Sequence, residues 1–239
     1  MSEITVAEAL VQALHARGTQ RAYGVPGGGS SLDLIAAAEA LGMTFVLARN
    51  ENAAMMMAAA DAEVTGAPGL CLTTKGPGLA QAMNGLTHAA LDRAPVCLVT
   101  DGFSEAQAAY ITHQVFDQKA MSAPVVKAHA RLESDDPGAE IAALLDAMLT
   151  PPYGPVHVEL TGPTARRQIA SMPDGATQAQ PVTGAPDPAA DLLRTARRPV
   201  IVAGLEACGE EGAAAVRRLA ESLQCPVLTT YKAKGVLPE

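Results

Sequence analysis

The chain has 239 residues, 49% of them apolar, but 48 are alanine and only 3% are aromatic, so any core depends on close backbone approach rather than on ring packing. Seventeen basic against 25 acidic residues leave a net charge of −8, which argues against nucleic acid or an anionic membrane as partner, since both need clustered Lys and Arg. No apolar run approaches the ~20 residues of a membrane span, and the start Met1-Ser2-Glu3-Ile4-Thr5 has neither the basic nor the apolar region of a signal peptide. Cys71, Cys97, Cys208 and Cys225 are widely spaced, with no CxxC pair, which reads as a reducing, cytoplasmic setting.

In chain order, Thr5-Val6-Ala7-Glu8 predicts a capping box that opens a helix with Val6, Leu10 and Leu14 on its apolar face. Gly18 closes that helix. Arg21–Val25 reads as a short strand running into Pro26-Gly27-Gly28-Gly29, after which Ser30 or Ser31 caps a second helix. Thr44–Leu47 is a strand, Arg49-Asn50-Glu51 a polar break, and 52–64 an alanine- and methionine-rich helix. Gly69–Thr74 reads as a buried strand entering Gly76-Pro77-Gly78, followed by a helix over 79–91 and a strand over 95–100.

From Asp101 to Ala120 the pattern predicts a long polar loop with at most one helical turn. Pro124–Lys127 reads as a strand, Pro137–Leu149 as a helix and Pro155–Glu159 as a strand. Repeated strand–helix units with short apolar strands predict an α/β fold, a parallel sheet with helices on both faces, over residues 1–167. Residues 168–188, rich in Pro, Gly, Gln and Thr without periodicity, read as a linker. Residues 189–239 hold one further β–α–β pattern: strand 198–203, helix 210–223, strand 225–230. One crossover buries little surface, so this reads as the truncated start of a second α/β domain, its last strand an uncovered edge.

Three strand ends carry unusual chemistry: Pro26-Gly27-Gly28-Gly29, Arg49-Asn50-Glu51-Asn52 and Thr73-Thr74-Lys75-Gly76-Pro77-Gly78. In an open parallel sheet, ligands bind beyond the carboxyl ends of the strands, so these loops are expected on one rim. Each alone also reads as a tight β–α turn. The glycine loop matches neither a Walker A motif nor GxGxxG, which leaves an unrelated nucleotide-binding protein as the weakest reading. Glu51 opens an otherwise apolar helix. It reads either as a carboxylate that complements the helix dipole or as a carboxyl in a poorly solvated pocket, available for a proton-sharing hydrogen bond.

Together these segments resemble the pyrimidine-binding domain of thiamine-diphosphate-dependent enzymes of the acetolactate synthase, pyruvate decarboxylase and benzoylformate decarboxylase group. The resemblance runs through Tyr23-Gly24-Val25-Pro26-Gly27-Gly28, Arg49-Asn50-Glu51-Asn52-Ala53-Ala54, Thr73-Thr74-Lys75-Gly76-Pro77-Gly78, Asn84-Gly85 and Gly154-Pro155-Val156. Arg198–Gly204 resembles the start of that family's central domain. The resemblance implies that Glu51 hydrogen-bonds a ring nitrogen of the cofactor's aminopyrimidine, which favours the tautomer that removes the thiazolium proton. It also implies that Pro26, Gly27, Thr74, Gly76, Pro77 and Asn84 line the pyrimidine site, and that the substrate is a 2-oxo acid undergoing decarboxylation or carboligation.

Two positions depart from the family pattern. Lys75 stands where many relatives carry a small residue; it reads as a cation facing the substrate carboxylate or as a solvated loop lysine. His113 and Gln114 fall where relatives place substrate-facing groups, and His113 reads equally as a surface residue. The family holds the diphosphate through Mg²⁺ at a Gly-Asp-Gly motif that does not occur in this sequence. No metal ligands are therefore expected within these residues. The resemblance places Mg²⁺ in a further domain or a partner subunit, and the 239 residues alone are expected to be inactive. It also implies a homodimer or homotetramer, and leaves FAD open. The alternative is a non-catalytic dimerisation or binding module, or one subunit of a split enzyme.

Overall fold

The computed structural model describes residues 3–170 and 187–237, which fall into two compact units. Strand β1 (Glu3–Thr5) leads into helix α1 (Val6–His15). The Thr5 hydroxyl accepts from the Glu8 amide at 3.1 Å and the Glu8 carboxylate accepts from the Thr5 amide at 2.7 Å, the reciprocal cap that the sequence predicts. Val6, Leu10 and Leu14 are fully buried.

β2 (Arg21–Val25), α2 (Ser30–Ala40), β3 (Thr44–Leu47) and α3 (Glu51–Thr65) come next, then β4 (Gly69–Thr73), α4 (Pro77–Leu91) and β5 (Val96–Asp101). Short helices α5 (Glu105–Ala108) and α6 (Gln118–Ser122) break up the polar stretch after β5. The unit continues through β6 (His129–Ala130), α7 (Pro137–Leu149), β7 (Val156–Leu160), α8 (Gly162–Ala165) and β8 (Gln168–Ala170). Six strands form one parallel sheet in the order β3-β2-β4-β5-β7-β6. Their side chains meet helices on both sides: α1, α2 and α7 bury Leu10, Leu34, Leu145 and Val158 on one face, and α3 and α4 bury Met55, Leu79, Cys71 and Leu98 on the other. This is the α/β fold expected of a thiamine-diphosphate pyrimidine domain.

The second face is built from small side chains, and α3 and α4 approach each other closely across it. A Cβ added at Gly85 would come to 2.5 Å from the Met55 Cβ and 3.0 Å from the Asn52 carbonyl oxygen, so α4 lies against α3 where it has no side chain. Gly69 allows the same approach between β4 and α3, since any Cβ there would collide with the Ala58 carbonyl.

Several local expectations are corrected. Neither Ser30 nor Ser31 caps α2: the N-cap is Gly29, which makes no side-chain cap, because both hydroxyls are drawn to Asp101. Ala123–Val125 is a 3₁₀ turn rather than a strand; Pro124 lacks the N–H a ladder needs and suits a helical first turn. The ladder starts at the Lys127 amide, which donates to Pro155 O at 2.8 Å, and β6 comes directly after it. Gln168–Ala170, expected to be linker, pairs antiparallel with β1. The rest of that linker, residues 171–186, lies outside the described residues.

The second unit consists of α9 (Asp187–Thr195), β9 (Ile201–Ala203), α10 (Glu210–Leu223) and β10 (Val227–Thr229), with the two strands parallel. Ala203, Ala233 and Val236 are its buried apolar residues among those described, while Val202 and Leu228 on the strands stay exposed. Among the described residues no helix is long and apolar enough to cross a membrane.

Gly85→Ala should force α4 away from α3. The expected cost is about 1–3 kcal/mol, in the range for an overpacked core, read as a lower urea midpoint. Ala80→Gly, at an exposed position of the same helix, controls for helix propensity.

Candidate functional site

Because all six strands of the sheet are parallel, the segments that leave their carboxyl ends share one rim. Val25, Thr73 and Thr100 lie in register across β2, β4 and β5, so Pro26, Thr74 and Asp101 come next at one level. Gly27 is where these loops meet most closely: a Cβ there would collide with Asp101 Oδ2 and come within 2.6 Å of Thr74 Oγ1. Gly76 adopts φ 58°, and a Cβ there would strike the Gln114 carbonyl. Pro26, Gly27, Thr74, Gly76 and Gln114 are thus brought together as the sequence suggests. Pro77 occupies the first turn of α4 on the same loop, where its missing N–H costs nothing.

Glu51 is the first residue of α3. Its helix is capped by Asn50, whose Oδ1 accepts from the Ala53 amide at 2.8 Å. Glu51 is half-buried, and its charge reaches β4: burial first, then Cys97, then Glu51 push the Cys71 thiol up. Beside it, Asn52 Oδ1 is buried without a hydrogen-bond partner. Asn84 and His113 are both exposed; Asn84 lies on α4 next to the α3 contact at Gly85.

Sequence reasoning misses the group at the centre of the rim. Asp101, at the end of β5, is 1% exposed. Its Oδ1 accepts from the Ser31 amide at 2.9 Å and Ser31 Oγ at 2.8 Å, and from Ser30 Oγ at 2.8 Å, whose single proton is shared with the Leu160 carbonyl at the same distance. Ser31 Oγ in turn accepts from the Gly27 amide at 3.3 Å. Gln118 completes the clamp: its Nε2 donates to Asp101 O at 3.1 Å while its Oε1 accepts from the Gly76 amide at 3.2 Å. Lys75 is not a solvated loop residue. Its side chain is 16% exposed, with Nζ 3.9 Å from Asp101 Oδ2 and 4.9 Å from the Phe103 ring centroid.

Next to the rim, a cavity of about 280 Å³ is lined in part by Phe103, Gln114, Phe116, Gln118, Arg131 and Glu159. Arg131 has its donors engaged, by Glu159 Oε1 at 2.8 Å, Phe103 O at 2.7 Å and Glu133 at 3.2 Å. Burial raises the Glu159 carboxyl while Arg131 opposes that shift. Behind the cavity, His157 is fully buried between Thr100 Oγ1 (2.9 Å from Nε2) and Ser122 Oγ (2.8 Å from Nδ1), with the His129 ring edge-on at 5.0 Å. Burial and the neighbouring His129 push His157 down to about 3; burial, Lys119 and Arg131 push His129 down to about 4. Both rings are neutral near pH 7.

A half-buried carboxylate at a rim of glycine-rich loops, with an unpartnered amide oxygen beside it, suits a flat heteroaromatic ring that offers N–H donors. Among the described residues, the His and carboxylate group close enough to share an ion is Glu63, His88 and Asp92. Glu63 lies twelve residues along α3 from Glu51, roughly 18 Å at helical rise.

Fold and rim therefore define a parallel α/β domain with a half-buried carboxylate among the loops at the carboxyl ends of its strands. Comparison with known proteins agrees. Residues 4–121 match the family described as thiamine pyrophosphate enzyme, N-terminal TPP binding domain, and residues 187–239 match the thiamine pyrophosphate enzyme central domain. The chain belongs to the thiamine pyrophosphate enzymes. It is 32% identical over 253 residues to the acetolactate synthase large subunit of Parasynechococcus marenigrum, covering 99% of this chain and 40% of that protein. It is 32% identical over 249 residues to the 2-hydroxyacyl-CoA lyase of Oryza sativa subsp. japonica (95% and 42%), and 30% identical over 246 residues to a probable 2-ketoarginine decarboxylase of Pseudomonas aeruginosa (98% and 43%). The chain thus spans about two-fifths of the length of these relatives.

A buried histidine whose pKa lies below its unfolded value of 6.5 contributes stability that is complete above about pH 6.5 and is lost as the pH falls toward about 3. Between those limits His157 should cost about 1.4 kcal/mol per pH unit. Urea midpoints taken from about pH 7 down to about pH 4.5 should fall accordingly, and His157→Gln should flatten that slope even if its midpoint at neutral pH is lower.

Proposed function

We propose that this chain supplies the pyrimidine-binding domain and the start of the central domain of a thiamine-diphosphate-dependent enzyme acting on 2-oxo acids, with acetolactate-synthase-like decarboxylation and carboligation. The observation that carries the reading is Glu51: a half-buried carboxylate at the start of α3, on the rim that also holds the Pro26–Gly29 and Thr74–Pro77 loops. When bound, thiamine diphosphate supplies a carbon nucleophile and an electron sink.

The residues of the chain do the rest. Glu51 accepts a hydrogen bond from the pyrimidine ring and so sets which ring nitrogen carries the proton. Pro26, Gly27, Thr74, Gly76 and Pro77 offer backbone and small side chains against which a ring lies flat, with Asn84 at the edge of α4. Gln114 lines the 280 Å³ cavity, a volume suited to a small 2-oxo acid, and His113 stands on the solvent side of the same loop.

The reading assigns Mg²⁺ and the diphosphate to a domain or partner subunit beyond these residues, and the 239 residues alone are then inactive. FAD would fall to the central domain. The four free cysteines, two of them buried, suit a cytoplasmic setting. We further propose that α3 and α4 pair with a second copy of the chain in a homodimer or a homotetramer, leaving the rim open to that copy's diphosphate domain. Val64 and Leu91 at the ends of these helices are 86% and 79% exposed, apolar surface that a second copy would cover. Sedimentation of the complete enzyme at micromolar concentration should show a dimer or larger; a monomer would refute the pairing.

In the complete enzyme, Glu51→Gln should slow exchange of the thiazolium proton by on the order of 10² or more, the lower range for acid–base groups. Proton exchange at the wild-type rate in a variant that still binds the cofactor would point instead to the non-catalytic module.

A further inference from the structure

Lys75 is held in an unusual state. Its side chain is mostly buried, with a carboxylate 3.9 Å and an aromatic ring centroid 4.9 Å from the ammonium, yet among the described residues none accepts a hydrogen bond from it. At 3.9 Å the pair with Asp101 is a charge contact without a hydrogen bond. Asp101 Oδ2 is likewise buried and without a hydrogen-bond partner, while Oδ1 is saturated by three donors. The carboxylate is fixed from behind by Ser30 and Ser31, and it fixes the lysine in front by charge alone. Three N–H donors remain unspent.

Phe103, whose ring lies under Nζ, also lines the cavity that holds Gln114. The cations that line that cavity themselves are differently placed. Arg131 is engaged by Glu159, Glu133 and the Phe103 carbonyl, and Lys119 is exposed to solvent. Lys75, set over a ring that lines the cavity, is therefore a cation with donors to give, and such a donor forms strong, charge-assisted bonds to a carboxylate.

We infer that Lys75 receives the carboxylate of the 2-oxo acid and that Asp101 is a positioning residue acting through it, holding the ammonium over Phe103. Asp101 never touches substrate. The serine and backbone donors on its Oδ1 offset its charge, so an incoming anion meets a cation backed by a shielded carboxylate. The inference rests on the proposed 2-oxo acid chemistry, and its test separates the two.

In the complete enzyme supplied with thiamine diphosphate and Mg²⁺, Lys75→Met should raise the KM for pyruvate about 10- to 100-fold, the range for losing a hydrogen bond to a charged group. The change in kcat should stay within about threefold, the pattern of lost ground-state binding. Lys75→Arg should recover part of the loss. Asp101→Asn keeps an oxygen for Ser30 and Ser31 but removes the charge that holds Lys75, so its KM should rise as well. On the Lys75→Met background the same change should add less than about twofold, because it acts through the lysine. Additive effects, or an unchanged KM in Asp101→Asn, would overturn the positioning role.

A second readout needs neither a variant nor turnover. Pyruvate carries the head group common to all 2-oxo acids, so it should slow trinitrophenylation of Lys75 in the wild-type enzyme, followed by peptide mass spectrometry. Shielding without consumption of pyruvate would uphold the subsite and refute the proposed reaction. Consumption without shielding, with KM unchanged in Lys75→Met, would overturn the subsite and leave the reaction standing.

Discussion

The rim is organised by one buried carboxylate. Asp101 sits at the end of a central strand, out of water, and a charge in that position persists only if donors surround it. Ser30 and Ser31 supply three hydrogen bonds from the start of α2, Lys75 supplies a countercharge from the β4 loop, and Gln118 ties the Asp101 backbone to Gly76. Three loops that are otherwise glycine-rich and free to wander share one anchor. Gly27 is glycine for the same reason, since the anchor occupies the space a Cβ would need.

A second constraint is distance between backbones. With 48 alanines and few aromatic rings, the α3–α4 face has little bulk to fill gaps, so its stability depends on bringing helices and strands close enough for small side chains to touch. Gly69 and Gly85 remove side chains where α3 would otherwise be pushed off the sheet and off α4. Glu51 stands at the first turn of that tightly held helix. Its position at the rim is inherited from packing over the whole length of α3 rather than from contacts of its own.

Most of the first unit is legible in the sequence because its signals are local. The Thr5–Glu8 box, the apolar periods of α1 and α7, and the glycines and prolines after each strand mark elements to within a residue or two. Glu51 and the Gly76 loop stand out because each departs from its surroundings in polarity or backbone freedom. Asp101 does not. Its serine partners lie 70 and 71 residues away, and along the chain it is simply the first residue of a polar loop. The two serines show the same limit from the other side: their helix-capping tendency is local, and a buried carboxylate outcompetes it. Gln168–Ala170 resembles linker because two or three residues carry no period, and only pairing with β1 makes them a strand.

That last pairing has a consequence of its own. Glu3 lies opposite Ala170, so the first and last described residues of the first unit lie side by side. A unit whose two ends adjoin is joined to its surroundings at a single seam, and the polypeptide departs from the place where the unit began. Such a block can be gained, lost or exchanged between genes without re-routing the polypeptide around the six-stranded sheet. The rim with Glu51 and Asp101 thus belongs to a block whose described ends share one edge, so a neighbour can be joined there without disturbing the strands that hold the rim together.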